Sequence, residues 1–359
     1  MLTDFFGFLN FLAPMLLASL GFVVAFKAGL FNIGIAGQML AAGFLATALV
    51  GYSGLSAVLA KPLVILVGIL AGGLLGAFVG FLKYRFNIHE VVSTIMFFPH
   101  RVKVTAGDFS DLGDCDILVN SAGKIDILRG NHDRLTEMDF TIAAVNSFMP
   151  KVMASGFHGI IINISNPCDI VTRQIAKLSG LPRGHVFGTG TGLDTSRLIS
   201  VLARETGMDH KSITGYMIGE HGAAQTVAWS AVTFGGRPLN DWAKTEERFC
   251  FDREKIKKEA INAGWVTFSG KYCTEYGISS TLARLARAVL HDEKVILPVS
   301  AELHGEYGED DLFVGVPAVI GAGGAEKVVE LNLPEEELRE FKICCQSVRT
   351  NMEHLKEIG

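Results

Sequence analysis

The side chains best suited to chemistry lie in four short polar segments: Asp133-Arg134, Asn163-Ile-Ser-Asn-Pro-Cys-Asp169, Gly188-Thr-Gly-Thr-Gly-Leu-Asp-Thr-Ser-Arg197 and Gly219-Glu-His-Gly222. His221 is the natural general acid/base, because an imidazole titrates near neutrality and can both take and return a proton. An unsupported imidazole is free in tautomer and rotamer; a carboxylate that accepts one ring N–H fixes both and stabilises the imidazolium. Asp194 and Arg197 are three residues apart, so at the start of a helix they share a face and can serve one pocket. Arginine also offers a carboxylate a flat, permanently charged, bidentate partner, which lysine does not. Singly, each residue has a blander reading. A histidine in a Gly-Glu-His-Gly turn is more often a surface residue, an Asp three before an Arg is usually a helix ion pair, and Asn166 before Pro167 is often a turn or cap.

The elements that must position these groups are legible after Pro99. The runs Asp116-Ile-Leu-Val119 and Gly159-Ile-Ile-Ile162 read as strands buried on both faces, which is the pattern of a parallel sheet. Between them Met138, Ile142, Val145 and Met149 recur at helical spacing, so strand, helix and strand form a right-handed crossover unit of doubly wound architecture. Behind Pro334, the residues Leu338, Phe341, Cys345, Val348, Met352 and Leu355 alternate spacings of three and four, predicting a long amphipathic helix opened by proline. The spacing of Gly188, Gly190 and Gly192 is wrong for a dinucleotide fingerprint, and Asp194 follows at once, so this run reads as an active-site turn.

Residues 1–98 have a different texture. Phe5 to Phe26 and Pro62 to Leu82 are uncharged runs of membrane-spanning length, and the uncharged stretch Gly29 to Ala60 is interrupted by Asn32, Gln38 and glycines. The first run lacks the basic start of a signal peptide. Gly68, Gly72, Gly76 and Gly80 recur every four residues, as where another helix approaches closely in lipid. With three spans, Lys27, Lys83, Arg85, Arg101 and Lys103 fall on one side and Lys61 on the other, which makes the first side cytoplasmic. No Pro/Gly/Ser-rich linker joins this third to the rest.

A chain of 359 residues implies two or three units. A net charge of -5 with 19% charged residues leaves no broad basic surface, so nucleic acid is excluded as a partner and small molecules are favoured. The six cysteines, Cys115, Cys168, Cys250, Cys273, Cys344 and Cys345, fit neither a zinc site nor a secreted disulfide framework, which points to a reducing cytoplasm and no metal.

In their order along residues 99–359, the four polar segments resemble the L-lactate/malate dehydrogenase superfamily. Gln225-Thr-Val-Ala-Trp-Ser230 and Phe268-Ser-Gly-Lys-Tyr-Cys-Thr-Glu-Tyr-Gly277 resemble its L-2-hydroxyisocaproate dehydrogenase branch. The resemblance implies an oxidoreductase transferring a hydride between NAD(H) and a small aliphatic 2-hydroxy/2-oxo acid, working as a homo-oligomer. With it the chain reads as an α/β fold: a truncated Rossmann-like parallel sheet (99–187, the remnant of an NAD-binding domain) plus an α+β substrate domain (188–359), preceded by the roughly three transmembrane-type α-helices that the uncharged runs of residues 1–98 predict. It makes His221 the acid/base, Asp194 its orienting carboxylate and Arg134 a lid cation. Arg197 becomes the anchor of the substrate carboxylate, and Asn166 a hydrogen-bond partner of substrate and cofactor. Ser121, Ala122 and Gly123 line the approach of the cofactor backbone. Ile127 falls where the family discriminates substrates, and an apolar residue there argues against malate.

The family begins with a strand, a glycine-rich turn and a helix that holds the cofactor pyrophosphate. None of these stands before Pro99, so the N-terminal dinucleotide-binding unit is expected to be missing. Instead, Phe31-Asn-Ile-Gly-Ile-Ala-Gly-Gln-Met39 and Phe86-Asn-Ile-His-Glu-Val-Val-Ser-Thr-Ile-Met96 resemble the first third of ABC importer permeases for nucleosides and sugars. The chain has no Walker motif. A cytoplasmic catalytic part tethered to the cell membrane through residues 1–98 follows, with two alternatives: a membrane component of an importer, or a non-functional hybrid of the two.

Overall fold

A long uncharged run is best housed in a helix, which satisfies its own backbone without help from water. The computed structural model describes residues 42–51, 53–86, 105–124, 135–271 and 275–358, in two units, Met1–Thr105 and Ala106–Gly359. In the first unit α1 (Ala57–Phe86) is 30 residues long with Pro62 near its start. Its stretch Val58–Phe78, 21 residues at a mean hydropathy of 2.3, is long and apolar enough to cross a membrane. Val58, Leu59, Ile65 and Leu74 lie exposed on it, and a Cβ added at Gly68, Gly72 or Gly76 would meet nothing within 4 Å. Three such helices were expected, and the described residues hold one. The preceding run Ala42–Gly51 is a short apolar helix, and Gly54, in the left-handed region at φ +68°, breaks the chain before α1; the Phe5–Phe26 run lies outside the described residues.

In the second unit β1 (Ile117–Asn120) is followed by α2 (Leu135–Ala154), β2 (Ile160–Asn163), α3 (Cys168–Ser179) and β3 (Val186–Gly188). The three strands pair in parallel, β1 with β2 and β2 with β3. All four residues of β2 are buried, and α2 turns Met138, Ile142, Val145 and Met149 into the core, as their spacing predicts. The turn from β2 to α3 contains a cis Asn166–Pro167 bond, and α3 ends at Gly180 in the left-handed region. β3 runs through the turn Thr189–Thr191 into α4 (Gly192–Thr206).

Beyond α4 come the short strands β4 (Ile213–Thr214), β5 (Met217–Ile218), β6 (Thr226–Val227), β7 (Thr233–Phe234) and β8 (Arg237–Pro238), and the helices α5 (Arg253–Lys271) and α6 (Glu275–Leu290). The long strands β9 (Val295–His304) and β10 (Asp310–Gly321), with β11 (Gly324–Val328), then extend the main sheet in the order β1-β2-β3-β9-β10-β11. The sheet is therefore mixed, not purely parallel: β9 pairs antiparallel with β3 through Gly188 and Ser300 and carries the antiparallel β10 and β11. A hairpin this long brings its own ladder, so it can add to a parallel sheet without a crossover helix. The terminal helix α7 (Glu335–Ile358) packs Phe341, Cys345 and Val348 into the core, on the predicted face.

Candidate active site

The carboxyl ends of β1, β2 and β3 form one rim, and buried amides shape its turns. Asn163, fully buried at the end of β2, donates from Nδ2 to the Ser165 and Cys168 carbonyls at 3.2 and 3.1 Å and to Thr172 Oγ1 at 3.0 Å. Its Oδ1 accepts from Asn120 Nδ2 at 2.8 Å and from the Ser165 N–H at 3.0 Å. Asn163 thereby fixes the turn that carries Asn166. At the end of β1, Asn120 Oδ1 accepts the Ala122 N–H at 3.2 Å, and buried Glu137 of α2 accepts the Lys124 N–H at 3.0 Å. These two bonds set the course of Ser121, Ala122 and Gly123.

His221, Asp194 and Arg197 meet. His221 Nδ1 lies 2.7 Å from Asp194 Oδ2, and Arg197 Nη1 lies 2.6 Å from Asp194 Oδ1, with Asp194 only 1% exposed. Asp194 and Arg197 share the first turns of α4 at the i, i+3 spacing, so the helix brings the pair to His221 as a unit. A carboxylate only accepts, so the proton sits on Nδ1 and Nε2 is the nitrogen that remains for proton exchange. The Arg197 guanidinium packs over Gly264 of α5, where an added Cβ would come 3.0 Å from Nη1.

The loop bearing His221 is held on three sides. Gly219, at φ +96°, exchanges backbone hydrogen bonds with Gly315 of β10 at 2.9 and 2.7 Å, and a Cβ there would press 2.6 Å from the Cys344 Cβ on α7. Ser347 and Asn351 of α7 donate to the Glu220 carboxylate at 3.2 and 3.1 Å. The His221 backbone N–H donates to Asp169 Oδ2 at 2.8 Å, and Ser300 Oγ donates to Asp169 Oδ1 at 2.6 Å. Burial pushes the Asp169 carboxyl up to about 6, against the downward pull of those two hydrogen bonds. The thiols of Cys168 and Cys344 are pushed up to about 12 by burial, so neither supplies a thiolate at neutral pH.

Among the residues predicted from sequence, the structure joins His221, Asp194 and Arg197 directly. It links the Asn166 turn to His221 through Asp169, and it places Ser121, Ala122 and Gly123 at the end of β1. Ile127 and Arg134 lie outside the described residues. Asp169, Ser300 and Gly264 were not singled out by sequence. Asp169 stood in a quoted motif and gave a signal, whereas Ser300 and Gly264 reach the site only through tertiary packing.

A His–Asp pair beside an arginine, in a unit whose parallel strands end in an open rim, suits proton exchange with a bound anionic small molecule, and the comparisons with known proteins supply the class. Residues 191–358 match the family model of the lactate/malate dehydrogenase α/β C-terminal domain, and residues 83–188 that of the lactate/malate dehydrogenase NAD-binding domain. The chain is 40% identical over 273 residues to an L-lactate dehydrogenase of Fusobacterium nucleatum, covering 76% of this chain and 85% of that one. It is 43% identical over 267 residues to L-lactate dehydrogenase 3 of Bacillus cereus, covering 74% and 83%. The ligand-bound crystal structure of a minor L-lactate dehydrogenase from Enterococcus mundtii superposes with a TM-score of 0.69 at 31% identity, covering 74% of this chain and 85% of that one. The chain belongs to the lactate/malate dehydrogenase family of NAD-dependent 2-hydroxyacid dehydrogenases. Residues 5–106 match a different model, the permease component of branched-chain amino acid transport systems.

The match of the NAD-binding model shows that this domain is present in the chain, and it corrects the expected boundary, since the match begins at residue 83, ahead of Pro99. The glycine-rich turn is a single local signal, whereas β1, α2, β2 and β3 carry the domain's pattern over many positions. Among the described residues no strand precedes β1 in the second unit. The residues present fit the nicotinamide end of NAD, since the rim lies outside the carboxyl ends of parallel strands and offers the small residues Ser121, Ala122 and Gly123.

Gly264 yields a prediction. Alanine is favoured over glycine inside a helix by about 1 kcal/mol, yet a methyl here would displace the Arg197 guanidinium by a few tenths of an ångström. Gly264→Ala is therefore expected to keep or raise the melting temperature while, if Arg197 anchors the substrate, KM for the oxo acid rises roughly threefold to tenfold. Calorimetry and steady-state kinetics on the same preparation check both halves.

Proposed function

We propose that this chain reduces a small aliphatic 2-oxo acid to the L-2-hydroxy acid with NADH, and runs the reverse oxidation with NAD, using His221 as the general acid/base. The observation that carries the reading is the contact of His221 Nδ1 with Asp194 beside Arg197. Arg197 anchors the substrate carboxylate in a bidentate pair. Asp194 keeps the His221 proton on Nδ1 and stabilises the imidazolium, so Nε2 exchanges its proton with the substrate oxygen. Asn166 donates a hydrogen bond to the substrate, and Arg134, on a closing lid, polarises the keto oxygen while the lid excludes water. NAD, when bound against Ser121, Ala122 and Gly123, supplies or accepts the hydride.

The names of the relatives, all L-lactate dehydrogenases, support a monocarboxylic substrate. Ile127 refines it, because burying a substrate hydrocarbon against an apolar side chain gains about 0.8 kcal/mol per methylene. This favours branched substrates of the 2-hydroxyisocaproate type and disfavours malate. The catalytic part works in the cytoplasm as a homo-oligomer. α1 and the permease match support attachment of the first unit to a membrane, and an importer component is the second reading they favour.

The test is NADH oxidation by the full chain with 2-oxoisocaproate, pyruvate and oxaloacetate side by side. The two monocarboxylates are expected to turn over faster than oxaloacetate. A clear preference for oxaloacetate removes the substrate assignment, and no oxidation with any of the three removes the enzymatic one.

A further inference from the structure

Asp169 is a carboxylate that is 3% exposed, on the first turn of α3, and it caps nothing in its own helix. Both its oxygens reach other elements: Oδ2 takes the His221 backbone N–H at 2.8 Å, and Oδ1 takes the Ser300 hydroxyl of β9 at 2.6 Å. A buried carboxyl is costly to keep, and the cost shows in its titration, lifted to about 6. Three residues earlier, just ahead of the helix and of the cis Asn166–Pro167 bond, is Asn166. Asp169 is thus a direct hydrogen-bonded tie between the start of α3 and the loop of His221. The other holds on that loop, Gly315 and α7, act at Gly219 and Glu220 and approach from a different side.

We propose that Asp169 is a positioning residue for the reaction: by accepting the His221 N–H and the Ser300 hydroxyl, it sets the separation between His221 and the Asn166 turn and seats the imidazole against Asp194. The inference rests on the reading of His221 as the acid/base and adds a residue to it. Asparagine preserves the tie, since its Oδ1 accepts from the His221 N–H and its Nδ2 donates to Ser300 Oγ, which can turn to accept. Alanine deletes both bonds and leaves the half-buried His221 N–H without this acceptor.

The test compares the full-length wild type, Asp169→Ala, Asp169→Asn and Ser300→Ala by steady-state kinetics and by the ring 15N signals of His221, assigned by their loss in His221→Asn. For Asp169→Ala, kcat is expected to fall about 100-fold, the scale of an ångström's misplacement of a catalytic group, with KM for the oxo acid moving less than threefold. The Nδ1–H signal of the Asp194 hydrogen bond weakens in that variant. Asp169→Asn recovers kcat to within about fivefold of wild type and restores the signal; Ser300→Ala falls between. A folded Asp169→Ala protein with kcat within threefold of wild type and an unchanged His221 signal overturns the proposal. If Asp169→Ala does not fold, Ser300→Ala decides: unchanged kcat and an unchanged signal overturn it equally. If the wild type reduces no oxo acid, the functional reading fails, and the 15N signals still show whether Asp169 seats the imidazole.

Discussion

Asp194→Asn is expected to lower kcat for NADH-dependent reduction by roughly 10³- to 10⁴-fold while leaving the protein folded, the scale seen when the carboxylate partner of a catalytic histidine becomes an amide. The size follows from who can donate to whom. Arg197 Nη1, 2.6 Å from Asp194 Oδ1, has only protons to offer, so the amide must turn its oxygen toward Arg197. Its NH2 then faces His221 Nδ1, which becomes the acceptor, and the ring proton moves to Nε2. The imidazolium that donates its Nε2 proton to the keto oxygen loses its counter-charge, and in the reverse oxidation the imidazole is left in the wrong tautomer to take the hydroxyl proton. Because the amide has nearly the carboxylate's shape, packing around this 1% exposed group survives. Kinetics of the variant with its melting curve check the expectation; a kcat within tenfold of wild type would falsify the orienting role of Asp194.

How much of this was legible in the sequence depends on how far each interaction reaches. Ile160–Asn163 and α2 were readable because burial on both faces, or on one helical face, is written in consecutive residues. The pairing of Asp194 with Arg197 was readable for the same reason, being an i, i+3 relation. The meeting of His221 with Asp194 came from family resemblance, since no local rule brings a loop after β5 to the start of α4. The tie from Ser300 through Asp169 to His221, and the close approach of Gly264 to Arg197, join segments far apart in the chain and leave no periodicity. The antiparallel half of the sheet was missed likewise: β9 meets β3 through Gly188 and Ser300, and nothing around either residue announces the other. In the first unit the described residues hold one of the three spans expected, and the Phe5–Phe26 run lies outside them. Length and hydropathy are met by Val58–Phe78, whereas the described part of the glycine-interrupted run before it holds the short helix Ala42–Gly51.

Arg197→Leu is expected to cost about 3–5 kcal/mol in kcat/KM, a loss of roughly 10²- to 10⁴-fold, as removal of one partner from a buried charge pair does. Two losses combine. The substrate carboxylate enters the site without its bidentate partner, which raises KM. Asp194, 1% exposed, also loses the cation 2.6 Å away while its other oxygen keeps the His221 contact. Leucine supplies neither the charge nor the guanidinium atoms that lie over Gly264. Arg197→Lys separates the two effects. An ammonium can neutralise Asp194 from one point, yet it cannot offer two parallel N–H groups to a carboxylate. Its expected signature is a KM raised nearly as far as in Arg197→Leu with kcat closer to wild type. Full kcat and KM values for both variants, with the oxo acid varied at saturating NADH, decide the matter. If both variants keep the wild-type KM, Arg197 is only the partner of Asp194, and the substrate carboxylate is held elsewhere.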